Sequence, residues 1–449
     1  MNSQRYSLTE GSIWKAMLLF ALPLMASSLL QLLFNAADII VVGRFAGDNS
    51  LAAVGSNTSL INLLTNVFIG LSVGANVLVG RFYGAREDKD LSETVHTSML
   101  ISIISGAVLT VVGVVFAERL LILMQAPEEA LDLTVTYVRI CGGGILFVIA
   151  YNVISSIFRG LGNSRLPLLF VFIACIVNIF GDLFLVAGLK MNVAGAALAT
   201  IMAQAVSVIL SLVIIRKQEL PFTMTRQDIC FNPEIKNFIR VGAPIALQEV
   251  LTNLSFLALC AFINRLGLDA SSGYGVANKI ISFVLLIPGS MMQSISAFVA
   301  QNVGAGKEDR AKKTLFTGMG IGLLIGVVVG LGTFLYGDIV AQIFTQDPAV
   351  ITRAFEYLRG FALEAVVTAV SFSFIGYYNG HGQTLFVMIQ GMAQTFLVRL
   401  PMSWIMSIQP EASLTNIALA APVATSVGIV LNGLYFVYYQ KKLNRIDAK

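Results

Sequence analysis

The sequence predicts an all-α polytopic membrane protein with twelve transmembrane helices, arranged as two parallel six-helix repeats around a central cavity. Three observations carry this prediction. Of 449 residues, 56% are hydrophobic and only 12% are charged, whereas a soluble protein carries about 25% charged residues. Apolar runs of the about 20 residues needed to cross a bilayer recur along the whole chain. The chain also aligns with itself at an offset of 220 residues, Gly47 falling on Gly267.

The first apolar run, 16–42, follows an N-terminus (MNSQRYSLTEGSIWKAM) with no cleavable-signal pattern, so it reads as a first membrane helix. Pro23 inside it removes a backbone donor and permits a bend. Five more runs follow at 53–80, 93–116, 133–157, 166–188 and 193–215. In the fourth, Gly142-Gly143-Gly144 marks close helix approach. A second set lies at 238–263, 273–300, 315–336, 352–378, 385–407 and 415–439. The polar stretch RKQELPFTMTRQDICFNPEIK separates the sets. The expected organisation is an N-terminal lobe of residues 1–215, a connecting loop of 216–236 and a C-terminal lobe of 237–449. Most of the 29 Lys and Arg lie in alternate loops on the side of both termini, Arg81, Arg86, Lys89, Lys307 and Lys313 among them. That bias places both termini and the connecting loop in the cytoplasm.

The repeat is visible at positions where hydrophobicity cannot imitate it. Gly84 meets Gly304, Glu118 meets Asp338, and Tyr137 and Arg139 meet Tyr357 and Arg359. Gly160 and Gly162 meet Gly380 and Gly382, and Pro23 meets Pro244 with a one-residue slip. Six spans per repeat insert both halves in the same sense. Such parallel repeats are expected where a substrate binds between two halves.

An ionisable side chain at mid-membrane costs about 2.5–3.5 kcal/mol on insertion scales, so each needs a reason. On the first run, Ser27, Gln31, Asn35 and Asp38 share a helical face. Asn178 and Asp182 do so on the fifth, and Thr200 and Gln204 on the sixth. Helix direction brings Asp38, Asp182 and Thr200 to one depth in the outer half of the membrane. Two carboxylates, an amide oxygen and a hydroxyl there suit a hard cation or a shared proton. The repeat places Ala258 opposite Asp38 and Met402 opposite Asp182, confining this chemistry to the first half. In the second half, Glu249 shares a face with Thr252, Asn253 and Phe256. It reads either as a cavity residue or as a partner of Arg399, for which Glu364 competes.

Other chemistries find no support. His96 and His381 are the only imidazoles, and Cys141, Cys175, Cys230 and Cys260 show no pairing pattern. No nucleophile–base set, Walker loop, zinc spacing or nucleic-acid patch stands out. The expectation is no enzyme, no nucleic-acid partner and no cofactor beyond a coupling ion.

Several stretches together carry a family resemblance: FNAADIIVVGRFAG, GRFYGAREDK, IFRGLGNSRLP, NIFGDLFLVAGLKMNVAGAALAT and QNVGAGKEDRAKK. In this order the chain resembles multidrug and toxic compound extrusion (MATE) transporters over roughly residues 10–440. The resemblance implies antiport by alternating access: an organic, cationic or amphiphilic compound leaves as Na⁺ or H⁺ enters, in a bacterial plasma (inner) membrane. It is nearest to the prokaryotic branch with its cation site in the N-terminal lobe. On that reading Asp38, Asn178, Asp182 and Thr200 hold the ion, and Pro23 is the bending proline. Gln31, Tyr137 and Asn152 match polar positions of the substrate cavity, to which Asn35, Gln204 and Glu249 are added. Ser155 stands where an asparagine is expected, and Glu249 lies one turn from the acidic position of other branches. The implied partners are small-molecule substrates and the bilayer, with the chain acting as a monomer. The alternative is a lipid-linked oligosaccharide flippase of the same broad superfamily, whose anionic cargo calls for several arginines lining the cavity, whereas the intramembrane charges of the first half are mainly acidic.

Overall fold

The computed structural model describes residues 8–123, 131–218, 220–222 and 232–447, and among them there is no strand. Cys230 and residues 223–231 of the connecting loop lie outside the described residues. Twelve described helices are long and apolar enough to cross a membrane. The first six correspond to α1 (Ile13–Phe45), α2 (Asp48–Ala85), α3 (Asp88–Val115), α5 (Leu131–Gly160), α6 (Arg165–Asp182) and α7 (Asn192–Lys217). A short α4 (Ala117–Leu123) follows α3. The second set comprises α8 (Glu234–Asn264), α9 (Leu268–Gly304), α10 (Glu308–Ala341), α11 (Pro348–Gly380), the pair α12 (Thr384–Met392) and α13 (Leu400–Ser407), and α15 (Ala420–Asp447), which is preceded by a short α14 (Leu414–Ala418).

Two features were not readable from periodicity. The fifth span continues past Asp182 as a π-helical turn, Leu183–Gly188. The eleventh is interrupted by a second, Ala393–Arg399. Such widened turns cluster at functional sites. Pro23 sits inside an unbroken α1, where the Ser27 hydroxyl donates to the Pro23 carbonyl at 2.8 Å.

The chain forms two compact units. Unit 1 comprises Met1–Glu10, Leu19–Ala246 and Ala300–Gly306. Its main core packs Val79, Leu91, Val95, Ile154, Phe158 and Phe170. Asn232, just before α8, accepts from the Thr97 hydroxyl at 2.7 Å and donates to the Glu93 carbonyl at 3.0 Å, which ties α8 to α3. Gln301 accepts from the Leu8 amide at 3.1 Å and donates to the Gly160 carbonyl at 2.7 Å. Unit 2 comprises Gly11–Leu18, Leu247–Val299 and Lys307–Lys449. Its core gathers Ile263, Ala277, Tyr357, Leu358 and Ile417, with Tyr274 edge-on to Tyr357 at 5.0 Å between ring centres.

The repeat recurs as packing. Gly160 lies against Val79 and the Asn76 carbonyl, and Gly380 lies against Val299 and the Ser296 carbonyl, each residue 220 positions from its counterpart. Val54 and Tyr137 share one cluster, as their counterparts Tyr274 and Tyr357 share another. Within unit 1 a Cβ on Gly84 would strike the Gln301 backbone, and one on Gly304 would strike the Arg81 backbone. Arg81 and Gln301 are themselves repeat counterparts, so this contact is reciprocal. Of the glycine triplet, Gly142 abuts the Gly113 backbone and Gly144 the Ile201 side chain, while Gly143 faces open space. A side chain inserted into such a contact costs about 1–3 kcal/mol. Gly84→Ala and Gly304→Ala should therefore each lower the melting temperature of the purified protein, whereas Gly143→Ala should not. A thermal-shift series on the three variants checks this ordering.

Candidate functional site

Asp38 lies one turn beyond Phe34 on α1 and one turn before Val42. Phe34 packs with Ala174, Cys175 and Ala203, and Val42 packs with Tyr137, Val186 and Val193. The carboxylate is thus enclosed between two apolar clusters and is only 5% exposed. Asn178 and Asp182, four residues apart on α6, are fully buried at 0%. Gly181 permits this convergence, since a Cβ there would press on Ala199 of α7 at 2.9 Å. The close approach of α6 and α7 carries Thr200 to the same spot.

Asp38 faces Asp182, Asn178 and Thr200 together. The Thr200 hydroxyl donates to Asp38 Oδ2 at 3.1 Å. Asp38 Oδ1, both Asp182 oxygens and both polar atoms of Asn178 are buried with no hydrogen-bond partner. Tyr137 and Cys141, one turn apart on α5, close the site; Tyr137 faces Thr200 and both aspartates, and Cys141 faces Asp38. Its amide and carboxylate oxygens, with the two hydroxyls beside them, form a hard donor set of the kind that suits Na⁺ or a shared proton. The described residues include no cluster of three or more His, Cys, Asp or Glu placed to hold a metal ion.

The other predicted positions are more scattered. Asn35 is exposed, and Gln31, also exposed, faces Tyr151. The Asn152 amide donates back to the Val148 carbonyl of its own helix at 2.8 Å. Gln204 Oε1 is buried and has no partner. Ser155 is buried at 3%, its hydroxyl equally unpartnered. Glu249 is half-buried in unit 2, where its carbonyl accepts from the Asn253 amide at 2.8 Å.

Neither ion pair considered for Arg399 forms among the described residues; its guanidinium lies over the Phe256 ring instead, 4.5 Å from the centre. Glu364 accepts from the Thr425 hydroxyl at 2.8 Å. Behind it runs a chain that sequence reasoning missed: Gln390 donates to Gln394 at 2.8 Å, and Gln394 donates to Thr425 at 3.1 Å. The spacing of the two glutamines, four apart on an apolar segment, was the available signal. Cys141 was missed too, although it stands one turn from Tyr137 and so faces the same way.

Comparison with known proteins gives consistent results. A family model described as MatE matches residues 23–184 and again 244–405, once in each half. The chain is 26% identical to "Probable multidrug resistance protein YoeA" of Bacillus subtilis over 98% of this chain and 97% of that protein. It is 23% identical to "Multidrug export protein MepA" of Staphylococcus aureus over 100% of this chain and 98% of that one. A solved structure described as the outward-facing conformation of a multidrug resistance MATE family transporter superposes with TM-score 0.92 at 22% identity, covering 99% of both chains.

The single donor to Asp38 offers a test of the site. Leaving a buried acceptor unsatisfied costs about 1–3 kcal/mol. Thr200→Val should lower the melting temperature and Thr200→Ser should restore it, as read by tryptophan fluorescence during heating.

Proposed function

The chain belongs to the MatE family, and on that premise we propose that it exports organic, cationic or amphiphilic compounds by antiport against Na⁺ or H⁺ across the bacterial plasma membrane, with both termini cytoplasmic. The observation that carries the reading is the buried pair Asp38 and Asp182, whose oxygens outnumber the donors around them. Two bare carboxylates in a dry site repel one another strongly, and they keep a large desolvation cost until a proton or cation joins them. Occupancy of the site is therefore worth enough free energy to bias a conformational equilibrium. A ligand shifts such an equilibrium only through its differential affinity for the two states.

Alternating access follows from coupling that occupancy to α1. Pro23 stands in α1 fifteen residues before Asp38, so a bend at the proline re-aims the carboxylate relative to α6 and α7. Asn178 and Thr200 orient the ion or proton, and Tyr137 shields it. Gln31, Asn35, Asn152 and Gln204 supply polar contacts to the cargo. The driving force is adequate: one charge moving inward across 100 mV supplies about 2.3 kcal/mol. A tenfold ion gradient adds about 1.4 kcal/mol. The names of the relatives, a multidrug resistance protein and a multidrug export protein, support the choice of cargo.

Proteoliposomes loaded with a fluorescent organic cation, under separately imposed Na⁺ and pH gradients, test the proposal. Asp38→Asn and Asp182→Asn should each reduce gradient-driven efflux by about tenfold or more, the scale of a coupling energy of 1–3 kcal/mol, with membrane expression unchanged. Normal coupled efflux in both variants would remove the mechanism.

A further inference from the structure

A second titratable pair lies in unit 2, at the junction of α10 and α11. His381 follows the last residue of α11 and its side chain is 1% exposed, while Glu308 opens α10 and is 27% exposed. His381 Nδ1 sits 2.9 Å from the Tyr377 carbonyl oxygen, and Nε2 sits 3.1 Å from Glu308 Oε2. A carbonyl can only accept, so Nδ1 must carry a hydrogen. An ionised carboxylate can also only accept, so the Nε2 contact needs a further hydrogen, on the ring or on the carboxyl. With it the pair is joined by a charge-assisted hydrogen bond. Without it two lone pairs face each other at contact distance.

Two tyrosine rings flank the imidazole. The Tyr377 ring lies 4.3 Å away and the Tyr439 ring of α15 lies 5.4 Å away, edge-on. The Tyr377 hydroxyl accepts from Gln440 at 2.7 Å. Arg310, on the turn after Glu308, donates to the Gly11 carbonyl at 2.9 Å, and Lys307 precedes Glu308 in the chain. The architecture does not demand a histidine here. The repeat counterparts of His381 and Glu308 are Leu161 and Asp88, and Leu161 is buried in the apolar core of unit 1.

We propose that His381 and Glu308 together bind one proton and form a proton-dependent clasp between α10 and α11, distinct from the Asp38–Asp182 site. Lys307, Lys312 and Lys313 flank this end of α10, which by the basic-residue bias faces the cytoplasm. The clasp then reads cytoplasmic pH. In acid it holds the start of α10 to the end of α11. As the pH rises the proton leaves and the junction loosens. The inference rests on the export reading only for its consequence in transport.

Backbone hydrogen exchange of the full-length protein in nanodiscs, corrected for the intrinsic pH dependence of exchange, tests the clasp itself. On going from about pH 6 to about pH 9, amides at the start of α10 and the end of α11 should lose about tenfold protection. Glu308→Gln should abolish that step, because its carboxamide donates to a neutral imidazole at either pH. His381→Leu, the residue used in the other half, should abolish it too. In proteoliposomes, changing the cytoplasmic-side pH at a fixed driving gradient should alter efflux by the wild type and not by Glu308→Gln. Constant wild-type protection across the range overturns the proposal, as does an unchanged step in Glu308→Gln. Loss of efflux in the wild type with the exchange step intact would count against the export reading and leave the proton site standing.

Discussion

The constraint on which unit 1 depends is the enclosure of two carboxylates where water cannot reach them. A charge in a low-dielectric interior must find a partner or lose the charge. Here the protein supplies one hydroxyl donor, from Thr200, and among the described residues no cationic side chain faces Asp38. Four helices are committed to this arrangement: α1 brings Asp38, α5 brings Tyr137, α6 brings Asn178 and Asp182, and α7 brings Thr200. The small contact of Gly181 with Ala199 sets the spacing of the last two. The apolar residues on either side of Asp38 serve the same end by keeping the local dielectric low, so that the charge state of the two carboxylates carries a large energetic consequence.

Much of this was legible because helices impose a simple rule on sequence. Steps of three and four residues place side chains on one face, and that rule alone joined Asn178 to Asp182. Membrane thickness then fixed depth, and the alternation of helix direction brought residues from separate spans to a common layer. The repeat was legible at glycines, where a side chain would collide with a neighbour, as at Gly160 and Gly380. What escaped were features that break the rule. The π-helical turns after Asp182 and before Leu400 leave no mark in hydropathy. Arg399 resisted for a different reason: charge alone suggested a carboxylate partner, yet the guanidinium lies on Phe256. A flat, weakly hydrated cation is satisfied by an aromatic face.

The two repeats share a scaffold and differ in polar content. Asp38 and Asp182 have Ala258 and Met402 as counterparts. Conversely, Glu364, Gln394 and Thr425 fall opposite Gly144, Ala174 and Ala205. Each half has thus placed a buried polar network where the other packs small or apolar residues. In unit 2 the network is a directed chain of donors ending on Glu364, whose second oxygen has no partner. Such chains hold their members in one arrangement, so the carboxylate of the second half is fixed in orientation by its own neighbours.

The widened turn that follows Asp182 has a consequence for descent. A π-helical turn accommodates one residue more than the surrounding helix needs, and so absorbs a change of chain length locally. Deletion of one residue between Leu183 and Gly188 would restore an ordinary α-helical turn and leave the direction of the segment leading to Asn192 nearly unchanged. Asp182 would stay anchored by the Gly181 contact behind it. Chain length can therefore change just beyond Asp182 while the carboxylate pair is inherited unaltered.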